Sequence, residues 1–148
     1  MTSRTKTKLL AAVALTGLTI AVVAHAQSRK PVLINRLYTG PDGETHADEV
    51  EVKFTGGTPV NQAAEMVKAT GSEIHRSPPG NSQDFHTAPR RQYVITLSGH
   101  GEVETSDGHK VPLGPGQVLL VEDTTGKGHI TRVIGNEDRV TIQIPLAN

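Results

Sequence analysis

The chain of 148 residues has no cysteine and no tryptophan, and only two tyrosines and two phenylalanines. Without cysteine the fold gains nothing from disulfides and carries no thiol chemistry, whatever its redox compartment. With Tyr38, Phe54, Phe85 and Tyr93 as the whole aromatic set, a base-stacking surface or aromatic cage is excluded and Val, Ile and Leu must build the core. There is no basic run, and the formal net charge is +0, so nothing supports nucleic-acid binding. A phosphate-cradling loop is missing too, because Gly99-His100-Gly101 lacks a following helix pattern. No serine stands in a nucleophile elbow.

What the chain does have begins at its amino terminus. Arg4, Lys6 and Lys8 precede an uncharged apolar stretch over residues 9–24, and Ala24-His25-Ala26 follows. A positive start, an apolar segment and small residues at the two positions read by a signal peptidase make a secretory signal, with cleavage expected before Gln27. An uncleaved anchor is the other reading. The stretch is short of the ~20 residues that a spanning helix needs, and Thr16, Gly17 and Thr19 weaken it. We therefore expect no stable membrane insertion after cleavage and a secreted or periplasmic protein. No cysteine follows the apolar stretch to take a lipid. The remaining residues, 27–148, suffice for one domain with one core. The three basic residues of the signal leave with it, so the mature chain carries a net charge of about −3.

Along that mature chain, short strand patterns recur between turn signals. Residues 32–38 read as a strand. Over 49–54, Val50, Val52 and Phe54 alternate with Glu49, Glu51 and Lys53, the pattern of a half-buried strand. Residues 61–75 favour a helix by local composition and extension by their surroundings, and we take them as extended. Ser77-Pro78-Pro79-Gly80-Asn81-Ser82 reads as a loop. Over 91–98, Tyr93, Ile95 and Leu97 share one face and Gln92, Val94, Thr96 and Ser98 the other, with the Gln92 face expected inward. Strands follow at 102–105, 109–113, 118–121, 129–134 and 139–144. Asp107-Gly108 marks a tight hairpin in which both central residues would need positive φ. The apolar run Val118-Leu119-Leu120-Val121 suits a strand buried on both faces. So many short strands predict an all-β sandwich or barrel.

Two stretches then take on meaning by position. His86-Thr87-Ala88-Pro89-Arg90-Arg91-Gln92 is followed after six residues by Gly99, and Gly108 is followed after five by Gly114-Pro115-Gly116, an apolar strand and His129. In this order the chain resembles the cupin superfamily over residues 85–146, about half the mature chain. The resemblance implies a small jelly-roll β-barrel of short antiparallel strands. The first cupin motif holds two histidines one residue apart and a glutamate. Here His86 takes the first place, Ala88 stands for the second histidine and Gln92 for the glutamate. His129 matches the histidine of the second motif, after a loop about two residues longer than usual.

By that resemblance, His86, Gln92 and His129 are the candidate ligands of a divalent transition metal inside the barrel. Two imidazoles and a neutral amide make a poor closed site, since the amide brings no charge to offset the ion. Each also has an ordinary reading: His86 a polar residue at a strand entry, His129 a hydrogen-bonded residue at a strand start, Gln92 a solvent-facing side chain. If all three face inward, they are a few convergent polar groups in an apolar cavity, the usual form of a small-molecule pocket. Glu122 and Asp123, in the polar stretch Glu122–His129, are expected at the barrel mouth, where a carboxylate could orient His129. Arg90 or Arg91 could hold an anion, though strand neighbours point to opposite faces and at most one can enter. His46, His75, His100 and His109 read as turn or surface residues. Three functions stay open: a module that binds a small polar or anionic molecule, a metal-dependent enzyme of dioxygenase or isomerase type, and a structural β domain. A homodimer is expected through the 32–38 strand as a sheet edge.

Overall fold

A computed structural model describes residues 29–147; the expected signal peptide, residues 1–26, and its cleavage point lie outside the described residues. Twelve strands and no helix make up the described chain: β1 Leu33–Thr39, β2 Thr45–Glu51, β3 Gly56–Thr58, β4 Asn61–Ala63, β5 Glu73–Ser77, β6 Ser82–His86, β7 Gln92–Ser98, β8 His100–Thr105, β9 Lys110–Leu113, β10 Val118–Val121, β11 His129–Ile134 and β12 Arg139–Pro145. Six form one sheet in the order β2-β1-β10-β7-β12-β5, four form a second in the order β6-β11-β8-β9, and β3-β4 is a separate hairpin. From β5 onward the chain crosses between the two large sheets at almost every connection. The expected all-β architecture is present as two facing sheets. Among the described residues no hydrogen-bonded strand pair joins the two sheets into a closed barrel.

Several local readings need correction. β1 is not an edge: it pairs antiparallel with β2 on one side and parallel with β10 on the other, so its backbone groups are used on both sides. The edges of the large sheet are β2 and β5. The strand read over 49–54 lies earlier, because β2 ends at Glu51 and Phe54 is 42% exposed. Residues 61–75 contain the β3-β4 turn partner and the start of β5, without a helix. The Asp107-Gly108 turn has positive φ at Gly108 alone. Gly108 N–H donates to Thr105 C=O at 2.8 Å, and Thr105 N–H to His109 C=O at 2.9 Å. Ser106 and Asp107 are thus the central pair, and Gly108 takes the left-handed position of a longer hairpin loop.

The apolar core occupies one side of the intersheet space. Leu37, Leu119 and Val121 from the large sheet meet Val103, Val111 and Leu113 from the small one, with Ala88 closing the cluster. Full burial of such side chains contributes about 1.5–3 kcal/mol each. Toward β7, β12, β11 and β6 the inward face turns polar. On β7 the buried residues are Gln92 and Thr96, and on β12 the buried polar residues are Arg139 and Thr141. Their neighbours Ile95, Ile142 and Ile144 face the other way and are half-buried. A sheet that turns its polar face inward builds a cavity wall instead of more core.

Candidate functional site

The cavity lies between the sheets and has a volume of about 470 Å³, lined by His86, Gln92 and His129 together with Val94, Val103, Leu119 and Val121. Strand register brings the polar three together. β11 runs antiparallel to β6 with His129 opposite His86, and the two imidazole centroids are 4.6 Å apart at 55°. Gln92 reaches the same cavity from β7 in the facing sheet and is 5% exposed. At Gly128 (φ +77°) the backbone passes so close to the His86 carbonyl that a Cβ would collide with it. Glycine there is what lets β11 start against β6.

Each histidine has one ring nitrogen committed. His129 Nδ1 lies 2.6 Å from Asp123 Oδ2, and both side chains are buried. Asp123 Oδ2 also accepts from Thr45 Oγ1 at 3.1 Å, while Asp123 Oδ1 is buried without a partner. His86 Nδ1 donates to the Asp84 carbonyl at 2.7 Å. In the neutral imidazole these contacts put the proton on Nδ1 and leave the Nε2 lone pair free to accept a hydrogen bond or bind a cation.

The remaining sequence candidates fall elsewhere. Asp123 sits behind His129, away from the mouth, and is wholly buried. Glu122 points the other way, into ion pairs with Arg91 and with Arg36, because neighbours on an extended chain alternate in direction. Arg90 is exposed and pairs with Glu73 at 3.1 Å; its Nε is 3.5 Å from Gln92 Oε1, at the outer limit of a hydrogen bond. The rest of the polar loop docks on the β1-β2 turn. Thr39 Oγ1 donates to Thr125 C=O at 2.8 Å, Lys127 N–H to Gly43 C=O at 3.0 Å, and Lys127 pairs with Glu44. That ion pair pulls the Glu44 carboxyl below its ordinary pKa and lifts the Lys127 amine.

Several cavity residues were not singled out from the sequence, His75 and Arg139 among them. His75 of β5, read as a surface histidine, lines the cavity with Ser77. Arg139, at the head of β12, lines the cavity and is 7% exposed. The signal for Arg139 was the parity of Arg139, Thr141 and Gln143, which repeats the polar face of Gln92 and Thr96 on the neighbouring strand.

The residues do not make a complete site for a resident metal. No group of three or more His, Cys, Asp or Glu side chains suited to hold an ion is found among the described residues. The nearest carboxylate, Asp123, is spent on His129 Nδ1. Two imidazoles and one amide leave a divalent ion without a counter-charge.

No family model matches the sequence, and no curated protein matches it. Among solved structures the chain is similar to a cupin domain from Bordetella pertussis, at 20% identity over 52% of this chain and 80% of that one, with a TM-score of 0.43. It is also similar to a predicted oxalate decarboxylase from Thermotoga maritima, at 22% identity over 78% of this chain and 94% of that one, TM-score 0.42. A putative ethanolamine utilization protein Q from Salmonella typhimurium gives 14% identity over 82% and 99%, TM-score 0.40. Cupins thus recur among its structural neighbours. Likeness at this level transfers no activity, substrate or metal to this chain.

Proposed function

We propose that this chain is an exported, cupin-like binding module whose intersheet cavity holds a small polar or anionic molecule. The observation that carries the reading is the His86–His129 pair. Both imidazoles have Nδ1 tied to the protein, and both line, with Gln92, a cavity whose walls carry Val94, Val103, Leu119 and Val121 as well as further polar side chains. Fixed polar groups beside apolar walls give a ligand orientation as well as affinity. Asp123 acts through His129: it fixes the ring and its tautomer, so the open nitrogen is aimed before a ligand arrives. Export rests on the amino-terminal segment, and protein recovered outside the cytoplasm should begin at Gln27 by mass spectrometry; recovery of full-length chain alone would refute it. Pairing of two copies remains a proposal, now through the free edges β2 and β5, and light scattering that finds monomer at every concentration would exclude it.

The binding test is calorimetry of the purified protein against small polar and anionic molecules. A ligand long enough to fill the cavity should lose about tenfold or more in affinity in His129→Ala, since a buried polar partner is left unpaired. Equal affinity in the variant would remove the His pair from the site. A metal-dependent enzyme of dioxygenase or isomerase type is the second reading. What favours it is the Nδ1 tether on both histidines, the usual bracing of metal-ligating imidazoles; the missing carboxylate weighs against it.

A further inference from the structure

We propose that the cavity has a second pole, at Arg139, that recognises the oxyanion of a small organic acid or phosphate. This deepens the binding reading above and rests on it.

Arg139 is the one buried arginine among the described residues. Arg36, Arg76, Arg90, Arg91 and Arg132 each face a carboxylate near the surface. Arg139 is 7% exposed and has no carboxylate within 4.0 Å among the described residues. Its Nη2 donates to Thr96 Oγ1 at 3.1 Å, and its Nε is buried without a partner. Burial holds the guanidinium below its ordinary pKa. An unpaired buried cation is costly, and a protein usually matches it. Here the fold instead makes room for it. A Cβ on Gly101 would fall 2.9 Å from Arg139 Cδ and Nε, and one on Gly99 would fall 2.8 Å from Arg139 Cα. Gly101 thus forms the bed on which the arginine side chain lies against β8, and Gly99 lets the backbone of Asp138 and Arg139 pass close beside it. Its inward neighbours Thr141 and Gln143 line the same cavity and offer further polar atoms beside it.

The two poles face one ligand space. Gln92 marks the histidine pole and Thr96 the arginine pole, on the same face of β7. Four residues of strand separate their Cα atoms by about 13 Å, and the long arginine side chain shortens the gap. A ligand that uses both poles carries an oxyanion at one end and a hydrogen-bonding group at the other. The free guanidinium edge suits a carboxylate or a phosphate, since both accept paired N–H donors.

The test is thermal shift and calorimetry of the purified protein with inorganic phosphate, acetate and glutarate. The natural protein should be stabilised by at least one of them, and the Arg139→Met variant should bind it about tenfold or more weakly. Phosphate alone, or the carboxylates alone, would tell the two sources apart. Arg139→Met should fold at least as well as the natural protein when no anion is present, because the buried charge is gone. Gly101→Ala, which crowds the guanidinium but keeps it, should weaken the anion without removing the charge. His129→Ala should retain most of the acetate response. Unchanged anion binding in Arg139→Met, no anion response in the natural protein, or a variant that fails to fold would overturn the proposal. If anion binding is lost in His129→Ala but kept in Arg139→Met, the histidine pole holds the anion: the binding reading then stands and the arginine pole falls.

Discussion

The two ends of the cavity handle buried charge in opposite ways. At the histidine end the protein supplies the partner: Asp123 lies against His129 Nδ1 and Thr45 donates to the same carboxylate oxygen. At the arginine end it supplies one hydroxyl, from Thr96, and no counter-charge among the described residues. The first arrangement is a brace, complete except for Asp123 Oδ1, and its removal should damage the fold. The second is a buried cation held by one hydroxyl, and its removal should damage binding while sparing the fold. Buried polar groups therefore mean different things at the two ends, and hydrogen-bond completeness tells them apart.

The sharpest way to break this contrast is Asp123→Ala. It leaves His129 Nδ1 and Thr45 Oγ1 facing an uncompensated cavity, and should cost about 3–5 kcal/mol in a denaturant titration. A loss under 1 kcal/mol, within the range of an exposed pair, would mean that the brace is not structural. Next in size is Gly128→Ala, which adds a Cβ against the His86 carbonyl at φ +77° and should cost about 3 kcal/mol. Gly135→Ala has the same backbone demand, φ +88°, but open space around it, and should cost about 1 kcal/mol. The difference between the two isolates the close approach that seats the histidines.

Much of this could be read in the sequence, for identifiable reasons. β10 and β11 stand at the bounds read from residues, 118–121 and 129–134, because an apolar run and a glycine-bounded alternation leave few alternatives. The inward parity of Gln92, Val94 and Thr96 also matches, although the opposite face of that strand is the more apolar one. β5 was read only as part of one long extended stretch, and β6 was not read as a strand at all, because both are largely exposed and no alternation marks their bounds. Glu122 and Asp123 looked alike as neighbours; which one braces a histidine depends on strand parity at a loop whose conformation the β1-β2 turn sets. Arg139 was passed over because an arginine at the head of an alternating strand ordinarily faces water. Only the neighbouring strand shows that its face is the inner one.

Smaller effects sharpen the comparison further. Arg139→Met should raise stability in the absence of anions by about 1 kcal/mol, as an apolar side chain replaces an unpaired charge; equal destabilisation at both ends of the cavity would erase the contrast. Gln92→Glu should give the histidine end the carboxylate it lacks and let it take up a divalent transition metal. Elemental analysis checks this, and metal at background in the variant would show that His86 and His129 do not converge on one point. The smallest effect lies outside the cavity. His46, hydrogen-bonded to Asp42 and Asp107, has its pKa raised by the two carboxylates. A raised histidine stabilises the fold below its unfolded pKa and loses that contribution as pH rises through the folded one. The melting temperature should therefore fall slightly from about pH 6 to about pH 8, and His46→Gln should flatten the slope.

The central claim, one ligand held at two poles, is tested most directly by following side-chain nitrogen NMR signals of Arg139 and His129 while the tightest-binding anion long enough to span the cavity is titrated into the purified protein. The account predicts that both signals move and that they saturate at the same anion concentration. Movement of one signal without the other, or saturation at different concentrations, would contradict it.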